Sequence, residues 1–212
     1  MRPGARSTQL AAAALVALAA GAVAGWLLHG GGRPPQPERV GAALLLPQRA
    51  PLPAFRLAGT SGPVTADGLK GRWSVLFFGY THCPDICPTT LAALAAALDA
   101  LPPQARGRVR ALFVSVDPRR DSRARLADYV AYFGAGIEAA TGDTDQIERL
   151  ARAVGAYYAL EEPGPDGGYL VNHSASLFLV DPAGRFAGVI SPPLEAKALA
   201  GTLARLTGGA AP

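Results

Sequence analysis

Residues 74–98 read SVLFFGYTHCPDICPTTLAALAAAL, and this stretch decides the fold. It opens on a continuous apolar run, Val75-Leu76-Phe77-Phe78, which is typical of a strand covered on both faces. Leucines at positions 91, 94, 98 and, just beyond, 101 follow at spacings of 3, 4 and 3, which predicts one buried helix face. Two cysteines lie between strand and helix, at the strand end where open α/β sheets bind ligands.

The same alternation of strand and helix continues downstream. Residues 110–116 form a second apolar run, which predicts a second strand. Two helices follow, the first capped by Asp121 and the second by Asp143 or Thr144. Their predicted buried residues are Leu126, Val130 and Phe133 in the first helix and Ile147, Leu150 and Val154 in the second.

Toward the C-terminus the pattern predicts a β-hairpin and a last helix. Residues 177–180 and 186–190 are apolar and flank the sequence Asp181-Pro182-Ala183-Gly184, which suits a type I turn. The last helix is predicted to bury Leu199, Leu203 and Leu206. The whole order of elements predicts an α/β fold, with a central mixed sheet flanked by helices.

The N-terminus predicts a location outside the cytoplasm. Residues 10–28 are continuously apolar and follow Arg2 and Arg6. A helix of this length spans most of a bilayer's hydrocarbon core, which is roughly 30 Å thick. We predict that residues 1–28 are a single-pass anchor in a bacterial inner membrane, with the folded domain in the periplasm. A cleaved secretory signal is the alternative, since Ala20-Gly21-Ala22 and Ala22-Val23-Ala24 both suit a cleavage site.

Proline and glycine mark the remaining boundaries. Residues 29–53 are rich in both and predict an extended linker. The folded domain is predicted at residues 54–207, and residues 208–212 are predicted to be a flexible tail.

Composition excludes several classes of protein. With 20 basic and 16 acidic residues the formal net charge is +4, and no run of five basic residues occurs, so nucleic-acid binding is not expected. The 212 residues suffice for one domain whose core needs no disulfide. Met1 is the only methionine, which excludes a metal carrier built on thioether ligands.

Cys83 and Cys87 are the candidate functional pair. Cysteines four residues apart at the entrance of a helix can bring their sulfurs together. A reversible disulfide, a dithiolate metal site and a static structural disulfide are therefore all open interpretations. The positive end of the following helix is expected to lower the pKa of the cysteine thiols.

A metal held by two cysteines usually needs a third ligand. Three histidines are available: His29 lies in the predicted linker, His82 adjoins Cys83, and His173 shortly precedes the strand predicted at residues 177–180. If that strand neighbours the strand at residues 74–80, His173 reaches the cysteine loop.

Three segments together resemble the Sco (SenC) family of copper-handling proteins, and they read FGYTHCPDICPTTL (78–91), SVDPRRD (115–121) and VNHS (171–174). The similarity covers roughly residues 53–206. That family has a thioredoxin-like fold and assists assembly of the binuclear copper centre of cytochrome c oxidase.

The resemblance implies a metal site and a set of partners. Cys83, Cys87 and His173 correspond to the family's ligands for copper, as Cu(I) or Cu(II). The implied partner is the copper-site subunit of the oxidase, with other periplasmic copper chaperones or thiol reductants as further partners. Coordination chemistry agrees, because two thiolates and an imidazole form a soft ligand set. Zinc with a water as fourth ligand is the alternative metal.

Two redox functions compete with a metallochaperone. One is a thiol–disulfide oxidoreductase with Cys83 and Cys87 as its redox-active pair, which would reduce the oxidase subunit's cysteines. The other is a thioredoxin-like peroxidase. Thioredoxin-like oxidoreductases carry a proline just before the strand that faces the cysteines, where this sequence has Ala175. That difference and the CxxxC spacing favour a metallochaperone over an enzyme.

Two acidic features near the cysteines receive simpler interpretations. The DPRRD segment at residues 117–121 is interpreted as a turn and helix cap, with a docking element beside the site as the alternative. Asp85 is interpreted as an acid at the start of a helix rather than as a ligand.

Overall fold

The computed structural model describes residues 5–28, 35–134, 136–165 and 167–208. The chain divides into two units, residues 1–36 and residues 37–212. Within the first unit, helix α1 covers Ala5–Leu28. Among the described residues, no helix combines the length and apolar character needed to cross a membrane. The single-pass anchor stays a prediction.

The second unit contains eleven strands, five α-helices and a 3-10 helix at Asp67–Leu69 among its described residues. The strands are β1 (Glu38–Val40), β2 (Ala43–Leu45), β3 (Arg56–Gly59), β4 (Gly62–Thr65), β5 (Trp73–Gly79), β6 (Val109–Ser115), β7 (Ile137–Thr141), β8 (Tyr158–Leu160), β9 (Val171–His173), β10 (Leu177–Val180) and β11 (Phe186–Ile190). The helices are α2 (Ile86–Asp99), α3 (Pro103–Arg106), α4 (Arg123–Ala131), α5 (Thr144–Val154) and α6 (Ala196–Leu206).

Nine of the strands form one sheet, in the order β1-β2-β11-β10-β5-β6-β7-β3-β4. The central strands β5, β6 and β7 are parallel to one another. Strand β10 pairs antiparallel with the other edge of β5, and β11 pairs antiparallel with β10. The predicted mixed sheet and C-terminal hairpin are therefore confirmed.

Strand β5 contributes side chains to two hydrophobic cores, one on each face of the sheet. Val75 and Phe77 point into the core that packs under α2, α4 and α6. Leu76 and Phe78 point to the opposite face, where α5 packs. Every residue of β5 is buried, which is why its sequence is continuously apolar rather than alternating. Its C-terminal end is thereby fixed rigidly beside the cysteine loop.

The predicted linker at residues 29–53 is wrong in its second half. Strand β1 pairs with β2, and β2 extends the main sheet by pairing with β11. Leu45 and Leu52 are buried. The described prolines of this segment lie before β1 and after β2, so they do not interrupt the pairing. Residues 29–34, like the tail residues 209–212, lie outside the described residues.

Asp121 does not cap α4, in contrast to the prediction. The residue before the helix is Ser122, whose hydroxyl accepts a hydrogen bond from the Arg125 backbone N–H. A serine supplies the same kind of cap as an aspartate. Asp121 is therefore free to point its carboxylate elsewhere.

We expect Leu45→Ala to lower the free energy of unfolding by about 2–5 kcal/mol, as for other buried leucines. The reason is that β2 belongs to the folded domain and Leu45 lies in its core. Urea denaturation would measure the loss, with Leu44→Ala in the same strand as the control, since Leu44 is only half-buried. Equal and negligible effects of both substitutions would restore the linker interpretation.

Candidate metal centre

The two cysteines lie where strand β5 gives way to helix α2. Cys83 is in the connecting loop and is half-buried, whereas Cys87 is in the first turn of α2 and is fully buried. Pro88 occupies the third position of the helix, where a backbone N–H has no partner within the helix and its absence costs nothing. Both cysteines are free thiols.

His173 reaches the cysteines from a distant part of the chain. It ends strand β9, which pairs with β8 in a separate two-stranded sheet. The strand that follows, β10, pairs with β5, as the proximity argument from the sequence required. The His173 Nε2 atom lies 3.3 Å from the Cys87 Sγ atom.

The three side chains form a compact set of metal-binding atoms. One sulfur or nitrogen from each of Cys83, Cys87 and His173 lies within 4.8 Å of the others. His173 Nδ1 lies 3.2 Å from the Ser174 carbonyl oxygen, which can only accept a hydrogen bond. Nδ1 therefore carries the proton in this contact, and the lone pair of Nε2 is directed at the cysteines, as in a metal-binding histidine.

Burial dominates the electrostatics of this site. It raises the pKa of the Cys87 thiol, and the neighbouring Cys83 adds to the effect. The predicted lowering by the helix N-terminus is thus wrong for Cys87. Burial also lowers the pKa of His173, which keeps its imidazole neutral at neutral pH. A thiol of raised pKa reacts slowly by itself, but a soft metal ion binds thiolate and can displace the proton.

Gly79, the last residue of β5, makes room for Cys87. A Cβ atom at this position would lie 2.5 Å from the Cys87 Sγ atom and 2.9 Å from Cε2 of Phe113. Both distances are far inside van der Waals contact. Any residue larger than glycine would therefore displace a buried sulfur.

The other candidate residues lie outside this cluster. His82 is exposed, and its Nδ1 contacts the Thr81 hydroxyl at 3.2 Å. His29 falls outside the described residues. Asp85 stands at the N-cap position of α2, where its side chain makes no capping hydrogen bond, and its carboxylate accepts from Thr89 at 3.5 Å.

Asp121 instead holds the cysteine loop. Its buried carboxylate accepts hydrogen bonds from the backbone N–H and the hydroxyl of Thr81, at 2.9 and 2.6 Å, and from the Ser115 hydroxyl at 2.6 Å. Thr81 is two residues before Cys83. Sequence reasoning missed this contact, although the DPRRD segment that contains Asp121 was the signal for it.

Residues 47–208 match the SCO1/SenC family. The chain belongs to the SCO1/SenC family. The resemblance inferred from the three sequence segments is thereby confirmed.

Relatives of this SCO1/SenC protein include bacterial and mitochondrial chains. A "Putative copper-binding protein" of Stutzerimonas stutzeri is 39% identical over 153 residues, which cover 72% of this chain and 74% of the relative. "Protein SCO1 homolog 1, mitochondrial" of Arabidopsis thaliana is 41% identical over 123 residues, or 58% of this chain and 36% of the relative. The match thus spans only about a third of that mitochondrial relative.

Solved structures of the SCO1/SenC family share the fold. Copper-bound ScoI of Bradyrhizobium japonicum is 35% identical, with a TM-score of 0.67 over 74% of this chain and 99% of that structure. Apo Sco1 of Thermus thermophilus is also 35% identical, with a TM-score of 0.70 over 78% of this chain and 96% of that structure. The thioredoxin-like α/β fold is confirmed by these matches.

Proposed function

We propose that this SCO1/SenC protein binds copper through Cys83, Cys87 and His173 and assists assembly of the binuclear copper centre of cytochrome c oxidase. The observation that carries the proposal is the convergence of three soft or borderline ligand atoms within 4.8 Å at a protected sheet edge. Related structures with copper bound support the choice of metal. The copper is cargo in this proposal.

The ligand set suits copper in both oxidation states. Thiolates favour Cu(I), while imidazole also suits Cu(II), so the same three groups can retain the ion through a change of one electron. Zinc could use the same ligands with a water as the fourth. Copper is the better match, because a site of nitrogen and sulfur ligands generally binds Cu²⁺ more tightly than Zn²⁺.

The cellular setting is part of the proposal. We propose a single-pass anchor at residues 1–28 in a bacterial inner membrane, which would hold the domain in the periplasm. The apolar run at residues 10–28 and the preceding Arg2 and Arg6 support it. The proposed recipient is the copper-site subunit of the oxidase, and periplasmic copper chaperones or thiol reductants would supply copper or electrons.

The reduced protein should bind one copper per chain, and the oxidised protein none. Both sulfurs become unavailable once they form a disulfide, so oxidation should abolish binding. Titration with copper would measure stoichiometry and ligation together. The absorption of the thiolate-to-copper charge-transfer band would report the sulfur ligands, and electron paramagnetic resonance of Cu(II) would report the nitrogen ligand. The same titration with zinc serves as the control for metal preference. Undiminished copper stoichiometry after oxidation would refute the site.

A thiol–disulfide reductant is the second candidate function. It is favoured by one observation, since the two free sulfurs are close enough for a disulfide to form with a small shift. Cys83 would be the attacking thiol, because Cys87 is fully buried and has a raised pKa. This function needs no imidazole at position 173. A variant that lacks His173 therefore distinguishes thiol–disulfide exchange from copper delivery.

A further inference from the structure

The hairpin that carries His173 is held to the rest of the domain by few elements. Strands β8 and β9 pair only with each other among the described residues. The Ser174 backbone N–H donates to the Tyr157 carbonyl at 2.9 Å, but this bond continues the pairing of the two strands and does not join them to the main sheet. An attachment to the rest of the domain lies near Tyr169 instead.

Arg120 of the DPRRD segment supplies that attachment. Its Nη1 donates to the Tyr169 carbonyl oxygen at 2.9 Å, and its guanidinium lies 3.6 Å from the centre of the Tyr169 ring. Its Nε donates to the buried carboxylate of Asp117, which also accepts from the Tyr169 hydroxyl at 2.8 Å. Arg120 thus contacts both the backbone and the ring of Tyr169, and its ion pair with Asp117 holds the guanidinium in place.

The same arginine also reaches the residue that packs on the histidine. Its guanidinium lies 5.5 Å from the ring centre of Tyr80, on which it can exert a cation–π attraction. The Tyr80 ring meets the His173 imidazole edge to face, with centres 5.9 Å apart. Arg120, Tyr80 and strand β9 therefore form one continuous set of contacts.

We propose that Arg120 is a positioning residue for His173, acting through Tyr169 and Tyr80. It does not touch the metal ligands itself, and it sets where β9 places the imidazole relative to the two sulfurs. The planar guanidinium is required, because one flat group must stack on a ring and donate in two directions, and a lysine ammonium cannot do so. The inference rests on the proposed copper site for its main measurement.

The decisive substitution is Arg120→Lys, which keeps a positive charge beside Asp117. We expect it to lower the affinity for Cu(II) by about 10–100-fold, as is usual when a group that orients a metal ligand is lost. The nitrogen hyperfine coupling in the electron paramagnetic resonance spectrum of bound Cu(II) should weaken as well. Arg119→Lys is the matched control, since Arg119 is an exposed neighbour in the same segment and should leave both readings unchanged.

A double-mutant cycle separates positioning from general structure. In a His173→Ala background, Arg120→Lys should change copper affinity by no more than roughly twofold, because its effect is transmitted through the missing imidazole. Tyr169→Leu is a second test that leaves the Asp117–Arg120 pair in place, and its copper affinity should fall likewise. An undiminished loss in the His173→Ala background would overturn the proposal, as would wild-type affinity in both single variants.

A metal-free measurement keeps this inference distinct from the proposed function. In the metal-free protein, Arg120→Lys should accelerate amide hydrogen exchange in strands β8 and β9 more than Arg119→Lys does. Equal exchange in the two variants would reject the attachment even if copper binds normally. Accelerated exchange in a protein that binds no copper would instead reject the proposed function alone.

Discussion

His173→Ala should impair assembly of the oxidase copper centre nearly as severely as Cys83→Ser, with most of the oxidase activity lost in both variants. Each substitution removes one of three metal-binding atoms that lie within 4.8 Å of one another. A site left with two ligands holds copper far more weakly. Oxidase activity in cells that carry either variant in place of the wild-type gene would measure the effect.

Added copper distinguishes delivery from reduction in this experiment. Excess external copper should partly rescue a delivery defect, because the recipient can then acquire copper without a carrier. It should not rescue a failure to reduce the recipient's cysteines. Thiol–disulfide exchange needs an attacking thiolate and its partner but no imidazole. Nearly normal oxidase activity in the His173→Ala cells would therefore reverse our ranking and favour the reductant.

Gly79→Ala should damage the metal centre although it replaces none of the three ligand residues. The added Cβ would lie 2.5 Å from the Cys87 Sγ atom, and β5 is buried on both faces, so the strand cannot move away. We expect a loss of about 1–3 kcal/mol in the free energy of unfolding, as for other overpacked cores. We also expect copper affinity to fall by about tenfold or more, because the displaced sulfur no longer faces His173 Nε2.

Gly201→Ala is the matched control for that experiment. Gly201 lies inside α6, and a Cβ atom there would meet no neighbouring atom within 4 Å. Alanine in a helix interior is favoured over glycine by about 0.8–1 kcal/mol, so this variant should be slightly more stable. Its copper titration should match wild type. If Gly79→Ala behaved like Gly201→Ala, the tight packing of Cys87 against β5 would be disproved.

The main sheet could be predicted from the sequence because its signals are local, whereas the meeting of the three ligand residues was implied by the family resemblance. The apolar run of β5 and the leucine spacing of α2 can each be recognised within a short stretch of sequence. From the sequence, the pairing of β10 with β5 was only the condition under which His173 reaches the cysteines, and the structure meets that condition.

The features that the sequence did not predict depend on distant partners. Strand β2 is only three residues long and is stabilised by pairing with β11, which is distant in the sequence. The residues around β2 therefore carry no local pattern that predicts a strand. Asp121 resembles a helix cap in sequence, yet it bonds Thr81, 40 residues away. The pKa of Cys87 followed the same rule, since the helix end is a local feature while burial comes from the whole fold.

The 86 residues that separate Cys87 from His173 have a consequence for the lifetime of the protein. An ion held by both ends of this long segment binds the folded chain more tightly than the unfolded one, since unfolding pulls His173 away from the two cysteines. Such binding adds at most about 2.7 kcal/mol to stability when the free ion is at a hundred times its dissociation constant. Proteases cut the transiently opened chain, so they would remove empty molecules faster than loaded ones. When the ion is scarce, the protein's abundance would then fall with no change in its synthesis. Its rate of degradation would therefore depend on the concentration of the ion.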